Sequence, residues 1–226
     1  DAFKYCRMLR TVTIPASLQT VGYGVFNYCE FLREIRLPEG ITKIPDHLYE
    51  GSGIREVIIP DSVEHIGSRA FASCRSLTKI NLHSNIKTIG NGVFDYSALE
   101  RVSLPQGMTV VSEALFNYCE ALKEVTLPDS ITTIEDRAFS LCDQLTELTF
   151  PSNVTKIGKH AFSDCTQISQ LSLPSGVTEL GESAFKGCIK LKSTNIPAKL
   201  TALPPSAFSG CRELEEIDIP ESVIKI

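Results

Sequence analysis

A unit of 22 or 23 residues recurs ten times along this chain, almost end to end. Each unit closes a short apolar run with proline, at Pro15, Pro38, Pro60, Pro105, Pro128, Pro151, Pro174, Pro197 and Pro220; His83 stands in that place once. A period in this range marks a solenoid, in which one coil cannot bury its own apolar face and must stack on its neighbours. The repeat therefore constrains the architecture before any single residue is weighed.

Within one unit, Val125 and Leu127 alternate with polar residues, which reads as a short strand with every second side chain inward. Pro128 ends it, because proline cannot donate to a sheet ladder. Stacked units would pair these strands in parallel, one per coil. The chain then crosses through Ile131 and Ile134, and a short helical turn is expected around Ala138 and Phe139 with Asp136 as its N-cap. Pro204 and Pro205, ahead of Ala207 and Phe208, also suit a helix start. The expected fold class is an α/β solenoid, with a parallel β-sheet on one face and short helical or irregular segments opposite. Ten coils at about 4.8 Å each make a rod or arc on the order of 45 Å long.

Inward columns run the length of the chain. One is aromatic, from Phe3 and Phe26 through Tyr49 and Phe71 to Phe208, and the residue before each ring is usually alanine, as at Ala138 and Ala161. All eight cysteines occupy one repeated position, three residues after the column aromatic, and Ser52 and Ser97 fill it in the two units that are one residue shorter. Eight cysteines in a secreted chain can mean a disulfide framework. One position repeated at constant orientation instead reads as a ladder of small, reduced, buried side chains, with poor geometry for cross-linking adjacent rungs. There is no close cysteine pair and no local histidine partner, so a zinc site is not expected. The glycines at Gly67, Gly90, Gly158 and Gly181 recur after the second crossing residue and read as conformationally special turn positions.

The composition narrows function by exclusion. Apolar residues make up 42% of the 226, enough for a continuous core. The formal charge of −5 is spread evenly, which favours neither nucleic acid nor an anionic membrane. No apolar run is long enough to span a bilayer. The chain starts at Asp1 without Met and already inside a repeat, and is read as a processed or trimmed piece from which a signal segment has been removed. His47, His65, His83 and His160 are too dispersed to share a metal or a proton, and no serine or acid is assembled with a base. No enzyme activity and no cofactor are expected.

What varies from unit to unit is the outward side of the strand. One row includes Glu34, Glu56, Lys79, Arg101, Glu124, Glu147 and Gln170; a second includes Arg36, Ile58, Asn81, Thr126 and Thr149. These twelve positions form the candidate protein-binding face, because solenoids present extended surfaces to large partners. The alternative is a structural spacer with no ligand of its own.

The unit written by Leu145, Leu148, Phe150, Pro151, Val154, Ile157, Gly158, Ala161, Phe162 and Cys165 closely resembles the BspA-like, Treponema pallidum-type leucine-rich repeats. The resemblance extends over practically the whole chain. It implies a leucine-rich-repeat horseshoe or arc with its sheet on the concave side. It also implies a secreted or cell-surface bacterial protein engaged in adhesion, with a host extracellular matrix protein such as fibronectin or fibrinogen, or another microbial surface protein, as partner. Departures are Tyr49 for Phe, His83 for Pro and Thr194 within a strand. The motif residues are core residues, so no binding residue carries over. Residues 1–226 are thus read as one leucine-rich-repeat domain of ten strand units, starting and stopping inside a repeat.

Overall fold

The structure, a computed structural model, describes residues 1–226. The chain winds as a right-through stack of coils held by 105 backbone hydrogen bonds, most of them reaching one coil forward or back. Strands are short and parallel, and there are two per coil rather than one. The expected series comprises β2 (Glu56–Val57), β4 (Lys79–Ile80), β6 (Arg101–Ser103) and β8 (Glu124–Thr126). It is continued by isolated parallel bridges between Thr11 and Glu34, Gln170 and Ser193, and Ser193 and Glu216. The second series lies on the crossing segment: β1 (Lys43–Ile44), β3 (His65–Ile66), β5 (Thr88–Ile89), β7 (Val110–Val111), β9 (Thr133–Ile134), β10 (Lys156–Ile157) and β11 (Glu179–Leu180). Its sheets run β1-β3-β5 and β11-β10-β9-β7 in strict repeat register, with Ile44 beside Ile66 and Ile134 beside Ile157.

The α/β expectation is overturned: the chain is an all-β solenoid and contains no helix. The reason lies in the backbone beside each column aromatic. Residues two before and two after the ring adopt the left-handed conformation, as at Arg137 (φ 55°) and Leu141 (φ 60°) around Phe139. A right-handed helix tolerates no such residues. The amides of this segment divide accordingly. Those of Arg137, Phe139 and Leu141 reach forward to the carbonyls of Lys159, Ala161 and Ser163 at 2.9, 2.8 and 2.8 Å. The amides between them close tight local turns, as from Ser140 to Arg137. The segment opposite the strands is therefore a third hydrogen-bonded ladder, and Ala161 is small where the Phe139 backbone meets it.

Two local expectations change with it. Asp136 caps no helix; its Oδ1 accepts the amide of Lys159 in the next coil at 2.7 Å. Gly158 is not in the left-handed region; a Cβ there would stand 2.6 Å from the Asp136 amide nitrogen. Glycine is required by close packing of coil on coil.

Inside the coils, 56 buried residues form one contiguous core. Its axis is the aromatic column, a continuous stack from Phe3 to Phe208 with ring centroids 5.1–6.2 Å apart. Six of the eight free cysteines are buried beside it, while Cys6 is exposed and Cys211 half-buried.

Candidate functional site

The outward strand positions form the candidate protein-binding face. Buried partners between them, Val57, Val102, Val125 and Leu148, anchor each strand to the core, so the alternating neighbours project into solvent. All twelve candidate residues, Glu34, Arg36, Glu56, Ile58, Lys79, Asn81, Arg101, Glu124, Thr126, Glu147, Thr149 and Gln170, are exposed. Ladder register sets Glu56 beside Lys79 and Arg101 beside Glu124. Shallow depressions run along this surface. The largest, about 710 Å³, extends from Glu56 to Arg101; a second, about 540 Å³, is bounded by Arg33, Arg36 and Arg55.

The twelve are not equally free. Arg101 is ion-paired to Glu124. Asn81 is committed to the scaffold: its Oδ1 accepts the Ile59 amide at 2.6 Å and its Nδ2 donates to the Ile59 carbonyl at 3.2 Å. Asn195 repeats this clasp on Leu173, at 2.7 and 2.9 Å. An asparagine here completes the backbone pairing that the short strand leaves open.

A polar cluster that the sequence reading missed lies on the opposite side, beside the aromatic column. Glu50 and Asp95 directly follow the aromatics of the two short coils, and both are buried. Arg69, from the coil between, joins them: Nη2 meets Glu50 Oε1 at 2.8 Å and Nη1 meets Asp95 Oδ2 at 3.2 Å. His47 Nδ1 donates to Glu50 Oε2 at 2.5 Å, and Asn117 Nδ2 donates to Asp95 Oδ1 at 2.9 Å. Burial alone would raise the Glu50 pKa, but hydrogen bonds from His47 and Arg69 outweigh it and hold the group below its ordinary value. At Asp95 burial prevails over Asn117 and Arg69, and the pKa is raised. The signal was available in the columns: an acid after the ring in just the shortened coils.

The buried rungs of the cysteine ladder are chemically quiet. Each thiol from Cys29 onward donates to the carbonyl of the column aromatic one coil earlier, as Cys142 to Phe116 at 3.1 Å and Cys165 to Phe139 at 3.0 Å. Burial pushes the Cys74 and Cys119 thiols up to about 12, where they are protonated and unreactive. No three His, Cys, Asp or Glu side chains converge as a metal site. No helix is long and apolar enough to cross a membrane.

Comparison with known proteins agrees with this geometry. The family described as BspA type leucine rich repeat region matches residues 1–123 and 109–226. A leucine-rich repeat protein from Eubacterium ventriosum is 24% identical over 95% of this chain and 68% of that one, with a TM-score of 0.60. Another, from Bacteroides ovatus, is 24% identical over 98% and 75%, with a TM-score of 0.56. The leucine-rich repeat protein of T. pallidum is 26% identical over 79% and 75%, also at 0.56. No curated protein matches the chain. The repeat spends its recurrent side chains on packing, and the chain is built as a scaffold of stacked coils.

Proposed function

The chain belongs to the BspA-type leucine-rich-repeat family, and from that premise we propose that it is an adhesin-like protein-binding module, secreted or held at a bacterial cell surface. The observation that carries this reading is the division of labour in each strand. Inward positions are committed to one continuous core, while the outward ones form a rigid, exposed, unit-by-unit variable surface. A surface that needs no reordering loses little entropy on association. Its mixed charge suits a protein partner, and four depressions of about 450 to 710 Å³ lie along it.

Extracellular matrix proteins are the first partners to test. Saturable binding of the purified chain to immobilised fibronectin or fibrinogen is expected to weaken with Glu147→Lys together with Thr149→Arg, which change exposed strand-face side chains. Binding that these substitutions leave untouched would move the site off the strand face. Absence of binding to any matrix or microbial surface protein would favour the spacer role.

A further inference from the structure

The charges of the strand face are unevenly paired, and that unevenness narrows the partner; the inference rests on the protein-binding role proposed above. In the second to fourth coils Arg33, Arg36, Arg55 and Lys79 are exposed, and none of the four enters an ion pair. Glu34 and Glu56 share the area, also unpaired. In the next two coils the pattern reverses: Arg101 pairs with Glu124, and Lys123 with Glu100 at 2.8 Å. Ladder register sets Glu56 beside Lys79, but the arginines lie like beside like. Arg55 donates its amide to the Arg33 carbonyl at 3.4 Å, so the two guanidinium side chains occupy one row in adjacent coils. Adjacent like charges oppose sheet stability, and alternating signs would relieve it. No ion pair within the chain engages the two guanidinium groups, whereas an external anion would.

At the centre of the same area Ile58 is 62% exposed. It is the single apolar residue in its row of outward positions. The two largest depressions of the face meet at Ile58 and Glu56. One wall is rigid, since Asn81 is clasped to the Ile59 backbone and cannot swing over the isoleucine. An apolar centre inside a charged, well-ordered rim is how interface anchors are built.

We propose that this patch docks an acidic protein segment carrying one large apolar side chain, which seats against Ile58 while neighbouring carboxylates engage Arg33, Arg36, Arg55 and Lys79. Four cations against two carboxylates set the sign of the partner. Glu34 and Glu56 repel acids from the middle of the patch and so fix where the apolar residue enters.

Selection from a phage-displayed library of random dodecapeptides on the immobilised full chain supplies the probe. The enriched peptides are expected to be rich in Asp and Glu around one large apolar residue. Ile58→Asp should weaken their binding at least about tenfold, as loss of an interface anchor does. Arg36→Glu with Arg55→Glu should also weaken it, and rising salt should slow association. Circular dichroism melting checks that these exposed variants stay folded. Basic or uncharged peptides, or acidic ones indifferent to Ile58→Asp, overturn the patch. If binding instead falls with Thr126→Arg or Thr149→Arg, the strand face remains a binding surface and this site on it does not. No enrichment, or peptides insensitive to every one of these changes, removes both readings.

Discussion

The thiol of Cys142 lies 3.1 Å from the backbone carbonyl of Phe116, one coil earlier, and that carbonyl also accepts the amide of Cys119. The cysteine therefore supplies a second, weak hydrogen bond to an acceptor that already has one. Cys142→Ser keeps a donor in place and should cost about 1 kcal/mol or less. Phe139→Ala, which removes a ring stacked on both Phe116 and Phe162, should cost about 3–5 kcal/mol. Urea unfolding of the two variants checks the order, and a Cys142→Ser loss matching that of Phe139→Ala would refute it.

Thiol chemistry offers a second check. Under native conditions a thiol-specific reagent should modify the exposed Cys6 first and the half-buried Cys211 more slowly. The six buried cysteines should react only on denaturation, when all eight become titratable. Fewer than eight free thiols after denaturation would mean that rungs of the ladder are cross-linked.

Tyr49 is the one column aromatic with a hydroxyl. It is fully buried between Phe26 and Phe71, and its oxygen has no hydrogen-bond partner. Burying an unsatisfied hydroxyl costs roughly 1–3 kcal/mol. Tyr49→Phe should accordingly raise the melting temperature, and a destabilised variant would show that the oxygen finds a partner.

The Arg69 cluster predicts how acid acts on the fold. The Glu50 pKa is lowered, so its stabilisation is complete above the ordinary carboxylate value and is lost as pH falls through the folded one. The Asp95 pKa is raised, so its ionised form opposes folding at neutral pH and that opposition disappears in acid. Glu50→Gln should therefore destabilise at pH 7, by about 1.5–3 kcal/mol, and by much less in acid. Asp95→Asn should cost less than Glu50→Gln at pH 7. Denaturation at the two pH values distinguishes the pair, and equal losses at neutral pH would sink the assignment.

Two glycines should respond to alanine for different reasons. At Gly92 (φ 59°) the cost is conformational, about 1 kcal/mol, since an added Cβ meets no atom closer than 3.5 Å. At Gly158 the Cβ would strike the Asp136 backbone at 2.6 Å, and the coils must separate locally. Gly158→Ala should lose more stability than Gly92→Ala. Ala114→Gly, at φ 52°, should change stability little or raise it. Thermal melting of the three variants orders them.

Much of this fold is legible in the sequence because identical columns recur at one period. Phe139, Cys142, Val125 and Ile131 each announce their inward role by repetition. The second strand is not legible, because Ile131 and Ile134 are three residues apart and match a helical spacing as well as a turn followed by a strand. The left-handed positions are hidden for a different reason. Arg137, Leu141 and His160 occupy them with side chains that ordinarily avoid that conformation, so the neighbouring coil imposes it. On the candidate face, exposure of Glu34 or Ile58 follows directly from strand alternation. The clasp of Asn81 on Ile59 depends on backbone positions across two coils, and residue type alone does not convey it.

The aromatic stack lets the chain assemble coil by coil. Phe139 touches the ring of the coil before it and of the coil after it, and the backbone ladders link the same neighbours. Contacts thus join segments about one unit apart, however long the array becomes. A chain built this way can emerge from a ribosome or be threaded through a narrow channel and close coil upon coil in sequence. No segment has to wait for a distant partner before it can fold.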